Sequence, residues 1–433
     1  MKNQYSLFAT CVLLPASLLI AACSHETGFD DGQAAGLGDA PITAVASANL
    51  AGSEANGLTA RVATEAPTGF DTTTNGFSTQ ADMDAARDVF EEVEQIADGL
   101  GPVYNAQSCR ECHQNPITGA ASQVTELRAG HFNGISFVDH PGGSLLDDRA
   151  IDPSLQERIA AGNEVRTFRL SLSLLGDGFV EAIDAATLQN ISLGQPAGQR
   201  GTFIQVPVLE APGSNRGGRF GWKNQHASLM SFAADAYVNE MGITSPLIPV
   251  ENTSNGNSVA AFDTVADPED KGPDIAAFTL FMRSLKAPSR DTALAATASA
   301  THGSQLFDSL GCATCHVRSI TTAPAGTVIN GGQLTVPPAL GDKIIHPYSD
   351  FLLHDVGTGD GIVQNGGQGT RNKVRTAPLW GMRVRDRLMH DGASVSRSDA
   401  ILRHSNEAAG AASNFANLST TSQNDLINFL NSL

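Results

Sequence analysis

Apolar positions along this chain fall into a few short blocks separated by long polar or small-residue stretches. The first block, Leu7–Ala22, follows Lys2 and ends at Ile20-Ala21-Ala22-Cys23. It is shorter than the roughly 20 residues of a membrane-spanning helix and reads as an export signal. From Ser24 to about Gln80 no apolar period emerges, and Ala, Gly, Ser, Thr and Asp dominate. Such a segment buries too little surface to offset its ordering entropy, which predicts a disordered N-terminal tether. Helical spacing begins at Ala85–Ile96, with Val89, Val93 and Ile96 on one face. It returns at Gly303–Leu310, Asp274–Leu285 and Asp425–Leu433. Strand signals are sparse, Thr202–Val206 being the best. The pattern predicts a mostly α protein.

Charge narrows the partners. Forty-five acidic side chains against 27 basic ones give a formal net charge of -18. That field repels nucleic acid and anionic lipid surfaces and suits a basic protein partner. The six cysteines say more. Cys11 leaves with a signal peptide at 1–22. Cys23 sits where a bacterial lipobox places its lipidated residue, and Ser24 after it fits an outer-membrane lipoprotein on the periplasmic side of a Gram-negative cell.

The remaining four form Cys109-Arg110-Glu111-Cys112-His113 and Cys312-Ala313-Thr314-Cys315-His316. Random placement of these residues predicts about 0.002 C-x-x-C-H matches per chain, against two observed. Two thiols three apart reach the two vinyl groups of a haem, and the adjacent imidazole then becomes the proximal iron ligand. A four-thiolate zinc site or disulfides could use the same pairs, but neither explains a histidine after each. Two covalently bound c-type haems are therefore expected. A helical segment precedes each motif and another closes each copy, which reads as an internal duplication of a cytochrome c-like domain. His113 to Leu285 spans 172 residues and His316 to Leu433 spans 117. The expected organisation is a linker at 23–80, a first haem domain at 81–290 enlarged by insertions, and a second at 291–433. The extra residues of the first copy could be loop growth or could build a pocket over the first haem.

With both motifs placed, the chain resembles the di-haem oxidoreductase family, related to bacterial di-haem cytochrome c peroxidases and MauG. The resemblance covers residues 80–433. It rests on Gly101-Pro102, Asn105 and Ser108-Cys109, on Gly218-Arg219-Phe220-Gly221-Trp222-Lys223 and on Met241-Gly242-Ile243-Thr244. Tyr348-Ser349-Asp350 with His354-Asp355 and His390-Asp391-Gly392 complete it. The resemblance implies that Trp222 is the indole between the haems and that Glu240, 18 residues on, is the acid/base carboxylate, with Glu181 in reserve. It puts the sixth ligand of the second haem at His404, 14 residues past His390, with Met389 and His354 as competitors. The family often carries methionine where this chain has Val356, which removes that position. His354 and His390 then read as hydrogen-bonded residues near the haem edge. His131, 18 residues past His113 and beside Gly130, corresponds to a displaceable distal ligand on a mobile loop.

The function implied is peroxidase-like. Electrons from a small donor such as a cytochrome c or cupredoxin enter at the second haem, and hydrogen peroxide or a small substrate reacts at the first. The alternative is a non-enzymatic electron-transfer lipoprotein. A third reading, dioxygen-dependent oxidation of an organic substrate, has no marked substrate channel behind it. Calcium occurs in related peroxidases, yet no D-x-D-x-D loop assigns ligands here.

Overall fold

The computed structural model describes residues 62–433. The signal peptide, Cys23 and the linker up to residue 61 lie outside the described residues. Residues 62–80, expected within the linker, instead belong to the fold. Thr64–Glu65 pairs in parallel with Lys343–Ile344, and the Asn75 amide donates to the carbonyls of Arg283 and Leu285 at 2.8 and 2.9 Å. This strap satisfies exposed carbonyls at the end of one helix, which composition could not reveal.

Each C-x-x-C-H motif sits under a helix pair of the same kind. In the first half, helix Gln80–Glu91 packs on helix Pro273–Ser284; in the second, Ala298–Ser309 packs on Thr420–Asn431. Each pair places an aromatic ring over the motif histidine. Phe90 lies 6.3 Å from the His113 ring at 56°, and Phe307 lies 6.4 Å from His316 at 55°. Phe90 also meets Phe281 at 4.9 Å, as Phe307 meets Phe429 at 5.3 Å. This repeated geometry supports the internal duplication.

The first helix differs in detail from its predicted stripe. It starts at Thr79, whose hydroxyl accepts from the Asp82 N–H, and stops at Glu91. Met83, Ala86 and Phe90 are its buried face, while Val93 and Ile96 are exposed beyond its end. The spacing 83, 86, 90 is itself helical, but alanine made it a weaker signal than three branched residues.

Mostly α is too simple a description. Helices take 33% of the described residues and strands 15%. The strands concentrate between the first motif and Trp222. Strand Thr125–Phe132 pairs antiparallel with Phe137–Asp139, Leu145–Leu146 and Val165–Leu170. The predicted strand at 202–206 is partly formed, as Gln205–Pro207 paired with Asn215–Gly217. Nor is there a gap in the core near residue 290. Residues 62–433 belong to one compact unit, and the larger buried cluster runs from Ala66 and Met83 through Phe281 to Ile345, Phe351 and Trp380. A second buried cluster, around Phe307, Tyr348, Phe415 and Phe429, fills the space under the helix pair of the second half.

The crossing of the second helix pair leaves no room for a side chain at Gly303. A Cβ there would run into the Asp425 carbonyl and lie 2.9 Å from the Leu426 Cα. Gly303→Ala should therefore lower unfolding stability by about 1–3 kcal/mol, read by urea denaturation, despite alanine's better helix propensity. An unchanged or higher midpoint would mean the crossing is looser than this.

Candidate active site: two cavities with a shared tryptophan

Two cavities open beneath the helix pairs. The first, about 800 Å³, holds Cys109, Cys112 and His113. The second is a narrower slot of about 170 Å³ around Cys312, Cys315 and His316. The cysteine pairs therefore serve different cavities, and all four thiols are free. That arrangement removes both the four-thiolate zinc site and the disulfide reading.

The histidines are prepared in the same way. His113 Nδ1 lies 3.2 Å from the Ala120 carbonyl and His316 Nδ1 lies 2.9 Å from the Tyr348 carbonyl. A backbone acceptor at Nδ1 fixes the tautomer and leaves Nε2 as the lone-pair donor. Burial pushes both imidazoles down to about 4, so each is neutral at physiological pH. Burial also pushes the Cys112 thiol up to about 12 and Cys312 up to about 11. Protonated, desolvated thiols are poor metal ligands but compatible with neutral thioethers. A flat macrocycle fits an apolar slot carrying a thiol pair and a neutral imidazole, and both cavities present that donor set.

In the second slot, His404 lines the wall with Nδ1 2.7 Å from the Ala400 carbonyl, the same preparation as the motif histidines. Its competitors differ. His354 has both nitrogens engaged, Nε2 with Asp350 at 2.8 Å and Nδ1 with Glu407 at 2.7 Å. Burial opposes its charge, but hydrogen bonds with Asp350, the Cys315 sulfur and Glu407 prevail and hold it up at about 12. A doubly protonated imidazole has no lone pair for iron. Met389 also lines the slot, on backbone at φ 65°, and Val356 and His390 line it too.

Trp222 lines both cavities. Its Nε1 donates to the Leu170 carbonyl at 2.8 Å, and its ring lies 6.1 Å from that of His390. The Leu170 N–H donates in turn to the His390 carbonyl at 2.7 Å. The indole is thus fixed in the wall between the two sites.

Glu240 lies in the last turn of helix Leu229–Met241 and faces the first cavity. Asn105 Nδ2 donates to its Oε2 at 3.0 Å. Burial and the neighbouring Glu126 carboxylate push its carboxyl well above the usual range, which favours the protonated form. The inserted sheet supplies much of this cavity's wall, including Glu126, Leu127, Arg128, Phe168, Arg169 and Leu170. Its extra residues therefore enclose space next to the first motif.

Two expectations are corrected. His131 lies on neither cavity wall. It sits in strand Thr125–Phe132 rather than a mobile loop, half-exposed, with Nδ1 2.6 Å from Glu164. Glu181 is structural: fully buried, it takes Arg283 at 2.6 and 2.9 Å, the Leu229 N–H at 2.9 Å and Asn330 at 2.9 Å. Arg283 and the Leu229 N–H outweigh the burial cost and hold it ionised.

The sequence of residues 154–433, well over half the chain, matches the family described as "Di-haem oxidoreductase, putative peroxidase". The chain belongs to the di-haem oxidoreductase family, and membership implies two haems. No curated protein matches the sequence. Solved structures similar to it include hydrazine synthase of Kuenenia stuttgartiensis, at 14% identity and a TM-score of 0.41, covering 90% of this chain and 100% of that one. A MauG-like protein associated with microbial copper homeostasis has 14% identity and a TM-score of 0.38 over 88% of this chain and 95% of its own. The diheme peroxidase BthA from Burkholderia thailandensis has 15% identity and a TM-score of 0.39 over 87% and 95%.

The two glutamates should separate by mutation. Glu181→Gln leaves Arg283 without its buried partner and should cost about 3–5 kcal/mol of stability. Glu240→Gln replaces a neutral acid with a neutral amide and should cost under about 1 kcal/mol. Equal losses in denaturant titrations would contradict the assignment of charge to one and a proton to the other.

Proposed function

We propose that the protein is an exported c-type cytochrome enzyme that reduces hydrogen peroxide, or turns over another small substrate, at the cavity of His113 with electrons received at the cavity of His316 and His404. The observation that carries this reading is the single indole of Trp222 in the wall of two unequal cavities, the larger of which is lined by the buried carboxyl group of Glu240. A plain electron carrier has no use for the extra volume or for the acid.

When bound, haem supplies an iron that passes single electrons and takes a small ligand at an open position. The chain's own residues do the rest. Cys109 and Cys112, and Cys312 and Cys315, would hold the two groups covalently, with His113 and His316 as proximal ligands. His404 closes the second site, which suits it to electron transfer. No histidine faces His113 from the first cavity's wall among the described residues, so that side is left for a substrate. Glu240 delivers a proton there, since breaking a peroxide bond requires a proton for the departing oxygen. Trp222, held by the Leu170 carbonyl, provides a short path between the two. Export as a lipoprotein anchored through Cys23 at the outer membrane accounts for the N-terminal sequence and for haem attachment outside the cytoplasm. The charge of -18 favours a small basic donor such as a cytochrome c or cupredoxin. Calcium is left without assigned ligands.

Stopped-flow mixing of the reduced protein with hydrogen peroxide tests the reading. Oxidation should be rapid in the natural protein and about 10²–10⁴-fold slower in Glu240→Gln. No reaction at the first haem would sink the peroxidase role and leave the electron-transfer lipoprotein.

A further inference from the structure

The first cavity contains a second carboxyl group that the reading above does not use. Glu126 projects from the inserted strand Thr125–Phe132 and is hydrogen-bonded to Glu240. Arg128 grips it at two points, Nε to Oε1 at 2.5 Å and Nη2 to Oε2 at 3.1 Å. Arg169, itself buried, comes within 3.8 Å of Oε1. Two arginines on one carboxyl group and none in contact with the other make the pair unequal. Both line the same cavity as Cys112 and His113.

We propose that Glu126 and Glu240 work as an unequal carboxyl pair holding one proton, in which Glu126 is the permanent anion that keeps the proton on Glu240. Glu126 is thus a positioning residue for the acid, and the inference rests on the peroxide-reducing reading. Two like charges in hydrogen-bond contact cannot both be ionised without a large cost, so the proton stays on the member without arginines. Other charges around Glu240 act in both directions. Asp147, buried with one carboxylate oxygen unpartnered, disfavours the Glu240 anion, and burial first, then Glu157, raises Asp147's own demand for a proton. Arg128 opposes by attracting the Glu240 anion, and Asp235 lies near Arg128. Arg149 is drawn towards Glu111 at 3.1 Å.

The proton balance is simple. One hydrogen peroxide, two electrons from a reduced one-electron donor protein and two protons give two waters. Glu240 supplies the proton that goes to the departing oxygen as the O–O bond breaks, and the two electrons with a second proton from solvent turn the remaining oxygen into the second water. Glu240 is left as an anion beside the Glu126 anion. That repulsion draws a proton back from solvent and resets the acid before the next peroxide arrives.

The closing experiment pairs infrared spectroscopy with kinetics on the full holoprotein. At neutral pH a protonated carboxyl band, shifted in heavy water, should be present in the natural protein and absent in Glu240→Gln. In Glu126→Gln the same band should titrate at least about one pH unit lower. The alkaline limb of the peroxide reaction, where activity falls as the acid loses its proton, should shift by the same amount. Glu126→Asp, which keeps the charge, should leave the limb near its natural position. A band and limb unmoved in Glu126→Gln, with the natural protein reacting normally, overturns the pair but not the function. A natural protein that ignores peroxide overturns the function, and the infrared titration then still judges the pair. Should Glu126→Gln not fold, the absence of any neutral-pH band lost in Glu240→Gln overturns the pair by itself.

Discussion

The hydrogen bond from the Trp222 indole to the Leu170 carbonyl, at 2.8 Å, fixes the wall on which both cavities depend. Leu170 ends the longest pairing partner of strand Thr125–Phe132, so the indole is tied to the inserted sheet. The Leu170 N–H reaches the His390 carbonyl on the other side, which ties the same point to the second slot. A buried indole N–H must find an acceptor, and here the acceptor belongs to the segment that separates the two sites. The Lys223 ammonium next along the chain is fully buried and reaches Asp360 at 3.2 Å, and Arg169 shares that carboxylate at 2.7 Å. Three elements distant in sequence therefore converge behind one ring.

The two halves share a local scaffold, and the sheet in the first half makes them differ. Both use a helix pair, an aromatic ring over the motif histidine and a backbone carbonyl at Nδ1. The first half carries a four-stranded sheet between its motif and Trp222, where the second half has only strands of two or three residues between its motif and Trp380. That sheet brings Glu126, Arg128 and Arg169 into a cavity several times the volume of the other.

Local spacing made the motifs and the closing helices readable from sequence, because each depends on residues a few turns apart, whereas His404 was readable only through family resemblance. Trp222 and Glu240 were readable only through family resemblance. The four-stranded sheet was not readable, because Thr125–Phe132 alternates poorly and its partners lie up to 45 residues away. The misplacement of His131 has the same source: spacing counts residues along the chain but says nothing about pairing, and in a strand His131 meets Glu164 at the surface. Glu126 was invisible for a different reason. A Glu–Arg alternation is what a solvated strand face also looks like, and only the fold brings it to a carboxyl group 114 residues further on.

The two haem sites are proposed to be unequal, one closed by His404 and one left open beside Glu240. Electron paramagnetic resonance of the half-reduced holoprotein tests it most directly. A high-spin signal from the site of His113, with the site of His316 and His404 low-spin, is the predicted result. Two low-spin sites in every redox state would contradict the account and describe an electron carrier instead.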